Sequence, residues 1–280
     1  MKIIFIGAVE IGLTVLESIY NTGYFVDTIF TLPFEMKNKT SGFIDFEPIA
    51  NKYNSNLIRT QDINNKENIS MIKESNPDLI IVCGWQRLIS KNILDIPTLG
   101  AIGFHSSLLP KYRGRAPINW AIIMGEKITG ITMFYMTPEA DDGDIIAQKE
   151  FPILLNDDCN TTYHKSALAG AELIRVYLPL IESNSAPRIH NISGTYPNYP
   201  KRTPKDGLID FHRSALDVYN FVRALTRPYP GAYFYNQHNK KIIVWKIAII
   251  FDESLLIQKS DYILNTLDLK VKLLEYQLDN

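Results

Sequence analysis

The residues with the most chemistry to offer lie between Gly103 and Ile145. His105 closes a short apolar run, Gly100 to Phe104. A basic Pro/Gly loop follows, Pro110 to Pro117, carrying Lys111, Arg113 and Arg115, and an acidic turn, Asp141-Asp142-Gly143-Asp144, comes after an alternating segment. An imidazole and a carboxylate, each just past the end of a strand, are what a general acid/base pair requires. Taken alone, a strand-end histidine is more often structural. The acidic tetrapeptide taken alone is a solvated turn, because Asp and Gly dominate turns for local hydrogen-bonding reasons.

To bring His105 and an acid some 36 positions away to one place, the chain needs a rigid frame. Lys2 to Ile6 is an apolar run ending at Gly7, and an amphipathic stretch, Glu10 to Tyr20, follows. Strands buried on both faces read as such continuous runs. Further strands are expected at Val26 to Thr31, Asn56 to Arg59, Asp78 to Cys83 and Ala101 to Phe104. Helical patterns lie between most of them, notably Asn64 to Ser75, which stops before Pro77. The alternation predicts an α/β fold, Rossmann-like, with a mostly parallel sheet flanked by helices. Ligands in such sheets bind outside the carboxyl ends of the strands. Gly84 to Arg87 and His105 follow two of those ends. The spacing after Gly7 is not GxGxxG, so a dinucleotide fingerprint is missing and an NAD-linked oxidoreductase is a poor reading.

Later segments predict a strand at Gly130 to Met136, another at Ile145 to Ile153, and a long helix at Thr161 to Ser183. Residues 1–183 are read as the catalytic domain, the aperiodic 184–207, rich in Pro, Ser, Asn and Tyr, as a linker, and 208–280 as a smaller β-rich C-terminal α/β module. That module should hold a helix near Ser214 to Leu225 and strands near Ala232 to Tyr235 and Lys241 to Phe251. Glu253 to Asn280 gives mixed signals.

The residues around His105 resemble the formyltransferases that use 10-formyltetrahydrofolate. Their pattern Asn-x-His-x-Ser-Leu-Leu-Pro is met by His105, Ser107, Leu108, Leu109 and Pro110. Arg113, Gly114 and Pro117 match next, then Thr129, Gly130 and Thr132, and last Asp141, Gly143, Asp144 and Ile145. The run LLPKYRGRAP and the segment Arg202 to Tyr235 are most similar to the nucleotide-sugar branch, that of the UDP-4-amino-arabinose enzyme, and methionyl-tRNA formyltransferase is also similar. The resemblance implies that His105 is catalytic and that Asp141, favoured over Asp142 by register, holds it charged and oriented. It also implies a folate pocket lined by Arg115, Thr137, Pro138, Glu139, Ala140 and Asp141. Trp85 and Leu88, past a strand edge, are expected pterin neighbours, with a core role open for Leu88. Lys111, Arg202 and Lys205 are expected at the acceptor, with Arg223 as a further pyrophosphate candidate, because such cations suit phosphate; a solvated basic face is the other reading. In place of the family's Asn stands Gly103, and Ser106, Gln86 and Asn119 are neighbours able to replace its hydrogen bond.

Composition limits the acceptor. There are 29 basic and 30 acidic side chains, giving net −1, and so no global electrostatic footprint for a polyanion. The expected function is N-formylation of a dTDP-, UDP- or GDP-linked amino-dideoxy sugar for surface polysaccharide, with folate and the nucleotide sugar as partners and neither nucleic acid nor membrane. Methionyl-tRNA formylation and non-catalytic binding of folate or a nucleotide sugar are the alternatives, and a homodimer is compatible. Two distant cysteines and five scattered histidines support neither disulfide nor metal. With no run near the ~18 apolar residues of a membrane helix, a cytoplasmic protein is expected.

Overall fold

The structure, a computed structural model, describes residues 1–192, 196–252 and 262–279. It divides into two compact units, and the chain passes back and forth between them. The first comprises Met1–Gly114, Gly130–Phe151 and Tyr163–Asn198; the second comprises Arg115–Thr129, Pro152–Thr162 and Tyr199–Asn280.

The first unit opens with β1 (Ile3–Ile6), α1 (Glu10–Asn21), β2 (Val26–Thr31), α2 (Glu47–Tyr53), β3 (Asn56–Arg59), α3 (Lys66–Ser75), β4 (Leu79–Val82), α4 (Lys91–Leu94) and β5 (Ala101–His105). Then α5 (Pro117–Ile123) belongs to the second unit, while β6 (Ile128–Tyr135), β7 (Ile145–Pro152) and α6 (Cys159–Glu182) lie largely in the first. The strands form one seven-stranded sheet, order β3-β2-β1-β4-β5-β6-β7. From β3 to β5 every neighbouring pair is parallel, and β6 runs antiparallel to β5. This is the mostly parallel α/β sheet that the continuous apolar runs imply. Successive residues of β1 face opposite ways. Ile3 and Phe5 join α1 and α6 side chains such as Leu16, Ile19, Ile174 and Leu178 in one core. Ile4 and Ile6 join Ile72 of α3 and Ile93 of α4 in the other. All four β1 side chains have no solvent exposure, which stabilises the frame by about 1.5–3 kcal/mol for each large one.

Segment 184–207, expected as a linker, is shared. Residues 184–198 are part of the first unit and 199–207 part of the second. Ile189 exchanges both backbone hydrogen bonds with Ile145, at 2.8 and 2.9 Å, extending β7 pairing into a stretch whose sequence shows no strand alternation.

The second unit is built on a four-stranded sheet, order β10-β11-β9-β8, from β8 (Ala232–Tyr235), β9 (Lys241–Ile250), β10 (Ile263–Asn265) and β11 (Lys270–Leu278); the three pairings are antiparallel. Helix α7 (Ala215–Leu225), whose first turn is capped by the Ser214 hydroxyl, packs on β9 and on α5. The Arg223 side chain, 7% exposed, donates to the Leu154 and Asp157 carbonyls and to the Asn220 side chain, which ties 152–162 into this unit. A β-rich module was expected here; of the segment with mixed signals, 253–261 lies outside the described residues.

Candidate active site

In the first unit the strand order reverses between β1 and β4, the point at which doubly wound sheets hold their ligands. Next to it, β5 delivers His105 at its carboxyl end, buried to 7% exposure. Nε2 lies 2.9 Å from the Tyr112 carbonyl oxygen, and Nδ1 lies 3.4 Å from Asp141 Oδ1. Both neighbours are oxygen acceptors, the Tyr112 carbonyl at hydrogen-bond distance and the Asp141 carboxylate at ion-pair distance.

Both acceptors are presented by strained backbone. Tyr112 has φ 57° and Asp141 has φ 55°, left-handed values that cost a non-glycine residue about 1–3 kcal/mol each and that collect at functional sites. The Asp141 turn hangs on Gly143, because a Cβ there would sit 1.7 Å from the Tyr135 carbonyl oxygen. Only glycine lets the turn close on the end of β6. The second oxygen of Asp141 accepts from the Gly114 N–H at 3.0 Å. Arg113 donates to the Ala140 carbonyl at 2.8 Å and comes within 3.2 Å of Asp142, close enough for charge attraction without a formed hydrogen bond. Asp142 thus faces the guanidinium while Asp141 faces the imidazole.

The loop between them is locked by motif residues. Thr132 Oγ1 donates to the Ser107 carbonyl at 2.6 Å and accepts from the Leu109 N–H at 3.0 Å and from Gln148 at 2.9 Å. The Ser107 hydroxyl donates to the Lys111 carbonyl at 2.7 Å. Gly103 pairs with Phe134 across β5 and β6, and a Cβ there would meet the Phe134 ring and Met136 Cγ at 3.0 Å. The volume that a side chain at 103 needs is occupied by Phe134 and Met136, which pack in one apolar cluster with Leu109 and Ile145.

Of the other expected residues, Trp85 is half-buried at the carboxyl end of β4, with Arg87 over its ring at 5.5 Å. Its Nε1 is buried and has no hydrogen-bond partner among the described residues. Leu88 is 66% exposed, which removes the core role left open for it. Thr137 donates to the Glu139 carbonyl, and Pro138, Glu139 and Ala140 are exposed. Lys111 is exposed, its Nζ 5.9 Å from the Tyr196 ring centre. Ser106 accepts a hydrogen bond from Ser166 at 3.0 Å, and Gln86 is exposed.

The second unit holds the remainder. Arg115 donates its N–H to the Tyr199 carbonyl, and Asn119 donates to the Ala224 carbonyl at 2.6 Å. Arg202 stacks over Trp120 and Phe221 and bonds the Asp206 carbonyl; its Nε is buried without a hydrogen-bond partner, and burial pushes its pKa down. Lys205 is exposed. The three Arg223 hydrogen bonds described above are structural ties, a correction to its candidacy as a phosphate ligand. An open pocket of about 740 Å³ in this unit, lined by Phe211, Phe234, Tyr235 and Tyr262 among others, contains none of the expected residues. Among the described residues no group of His, Cys, Asp and Glu could hold a metal, and no helix is long and apolar enough to cross a membrane.

One residue escaped the sequence reading. Asn191 is 2% exposed, and its Nδ2 donates to the Asp141 carbonyl at 3.0 Å. No motif or periodicity marks it.

Comparison with known proteins gives the following. The formyl transferase family model matches residues 1–176, and the formyl transferase C-terminal domain model matches residues 201–277. The bifunctional polymyxin resistance protein ArnA of Wigglesworthia glossinidia brevipalpis is 36% identical over 90% of this chain, which spans only 38% of that relative's length. Methionyl-tRNA formyltransferase of Clostridioides difficile is 37% identical over 91% of this chain and 82% of its own. Among solved structures, a 4-N formyltransferase from Francisella tularensis aligns with TM-score 0.68 and 25% identity over 87% of this chain and 96% of its own. An N-formyltransferase from Helicobacter canadensis, in complex with folinic acid and dTDP-3-aminofucose, aligns with TM-score 0.71 over 100% of both chains at 18% identity, a likeness of fold.

Proposed function

Because the chain belongs to the formyl transferase family, we propose that it carries a formyl group from 10-formyltetrahydrofolate to the amine of a nucleotide-linked amino-dideoxy sugar, for surface polysaccharide. A dTDP carrier is the first choice, with UDP and GDP as variants. The observation that carries the reading is the buried His105 ring placed between the Asp141 carboxylate and the Tyr112 carbonyl.

The chemistry follows from that placement. The neutral amine attacks the formyl carbon, an oxyanion forms on the formyl oxygen, the bond from carbon to the folate nitrogen breaks, and one proton moves from the attacking to the leaving nitrogen. An imidazolium N–H stabilises the oxyanion, and the same ring can pass the proton. Asp141 keeps the ring aligned and its charge balanced. Because Nε2 is spent on Tyr112 in the free enzyme, the turn at 111–114 has to yield or share that bond when substrate arrives. On the folate side, the half-buried Trp85 past the end of β4 suits stacking against the pterin. With Gly103 in place of the family's Asn, His105 carries the oxyanion without a side-chain donor from that strand position.

The 25%-identical neighbour is a 4-N formyltransferase by name, a neighbour alike in fold was solved with dTDP-3-aminofucose, and the balanced net charge suits a small nucleotide. Methionyl-tRNA formylation is the second reading, favoured by the relative at 37% identity that this chain nearly spans. Against it, residues 201–280 carry 12 Lys and Arg against 9 Asp and Glu, only +3, a weak basis for salt-dependent binding of nucleic acid.

The test incubates the full chain and formyl donor with dTDP-, UDP- and GDP-linked amino sugars and, separately, with initiator methionyl-tRNA, reading formyl gain by mass. Formylated nucleotide sugar is expected, with His105→Ala slower by about 100-fold or more. Equal rates for wild type and His105→Ala would sink the site assignment. Formylated tRNA alone would replace the acceptor, and ligand binding without turnover would leave a binding protein.

A further inference from the structure

The geometry points to Asn191 as a positioning residue for the acid of the proposed site, a role that rests on the formyl-transfer reading of His105 and Asp141. Asp141 comes to His105 Nδ1 with its backbone left-handed, and two hydrogen bonds hold it there: Gly114 on the carboxylate and the Asn191 amide on the carbonyl. The amide is 2% exposed, and its Oδ1 is buried with no hydrogen-bond partner among the described residues. An orphaned buried acceptor is destabilising, so packing alone does not explain an amide at this position. What the amide returns is a fixed acid. The segment that carries it is anchored by the backbone exchange between Ile189 and Ile145, by Arg188 stacked 3.6 Å over Tyr135, and by Arg188 and His190 within 4 Å of Asp144. The strap after α6 therefore sets the height of the acidic turn against β5.

The experiment compares wild type with Asn191→Leu and Asn191→Ser, each as the full chain. The first readout needs no substrate: ¹⁵N correlation spectra of the histidine rings at one fixed pH. The His105 ring-nitrogen resonances should move in both variants, while those of His164, His212 and His238 stay in place. The second readout, in the formylation assay, should show kcat lowered about ten- to a hundred-fold, as for a small misplacement of a catalytic group, with KM for both substrates within about two-fold. His105 signals that coincide with wild type in a folded variant would overturn the proposal, as would a loss confined to KM. If Leu fails to fold, the smaller polar Ser variant decides. Full activity of His105→Ala would instead refute the formyl-transfer reading, while a moved His105 resonance would still show that Asn191 places the acid.

Discussion

His105, Asp141 and Gly103 show how far single residues determine this site. The imidazole meets two acceptors, and only one of them is a side chain that a motif could announce. The Tyr112 carbonyl belongs to a residue whose contribution is its backbone, so its type carried no signal. Gly103 is the sharper case. Restoring the family's amide by Gly103→Asn drives its Cβ against Phe134 and Met136, and overpacking of this kind costs about 1–3 kcal/mol. A lowered thermal midpoint with no gain in turnover is expected; a faster, equally stable variant would show that Phe134 moves aside freely. At neutral pH Asp141→Asn should cut kcat by about 100-fold or more, while Asp142→Asn, remote from the ring, should stay within a few-fold of wild type. Equal losses would mean the two acids share the task.

At the scale of elements, the parallel core was legible because β1, β4 and β5 are continuous apolar runs, and β3 and β8 begin and end where the residue types imply. Beyond α6 legibility fails, because residues 184–198 are held by backbone pairing, a cation over an aromatic ring and one buried amide rather than by a periodic apolar face. The tie between α7 and 152–162 was hidden for a similar reason: Arg223 reads as a surface cation until its donors are seen to end on main-chain carbonyls. Burial pushes its pKa down, and the three hydrogen bonds offset that cost. Arg223→Met should strand the Leu154 and Asp157 carbonyls and lower stability by about 3 kcal/mol. Arg223→Lys should recover only part of this, since an ammonium lacks the fork. Denaturant midpoints at constant slope measure both, and an unchanged midpoint for Met would show that water replaces the guanidinium.

For the molecule as a whole, the two cysteines set a limit at high pH. Both are free and buried, one in each unit. Burial pushes Cys159 from 9.0 up to about 12 and pushes Cys83 well above the usual thiol range. A raised thiol pKa favours the folded state while the group is neutral. The contribution is complete below about pH 9 and is lost as pH climbs toward the folded value. Thermal stability should therefore decline between pH 9 and 11, and Cys159→Ala should flatten that decline; parallel slopes would assign the effect to other groups.

The passage of the chain between its two units also governs how its parts can be exchanged. Arg115–Thr129 and Pro152–Thr162 are enclosed in sequence by first-unit segments, yet they cluster with the C-terminal sheet. A cassette cut at Tyr199 and grafted from a relative arrives without the two upstream arcs its own helix grips. Exchanging the whole second unit between relatives should need five crossovers, at 115, 130, 152, 163 and 199, in place of one, so single recombination events are disfavoured as a route to stable hybrids in this architecture.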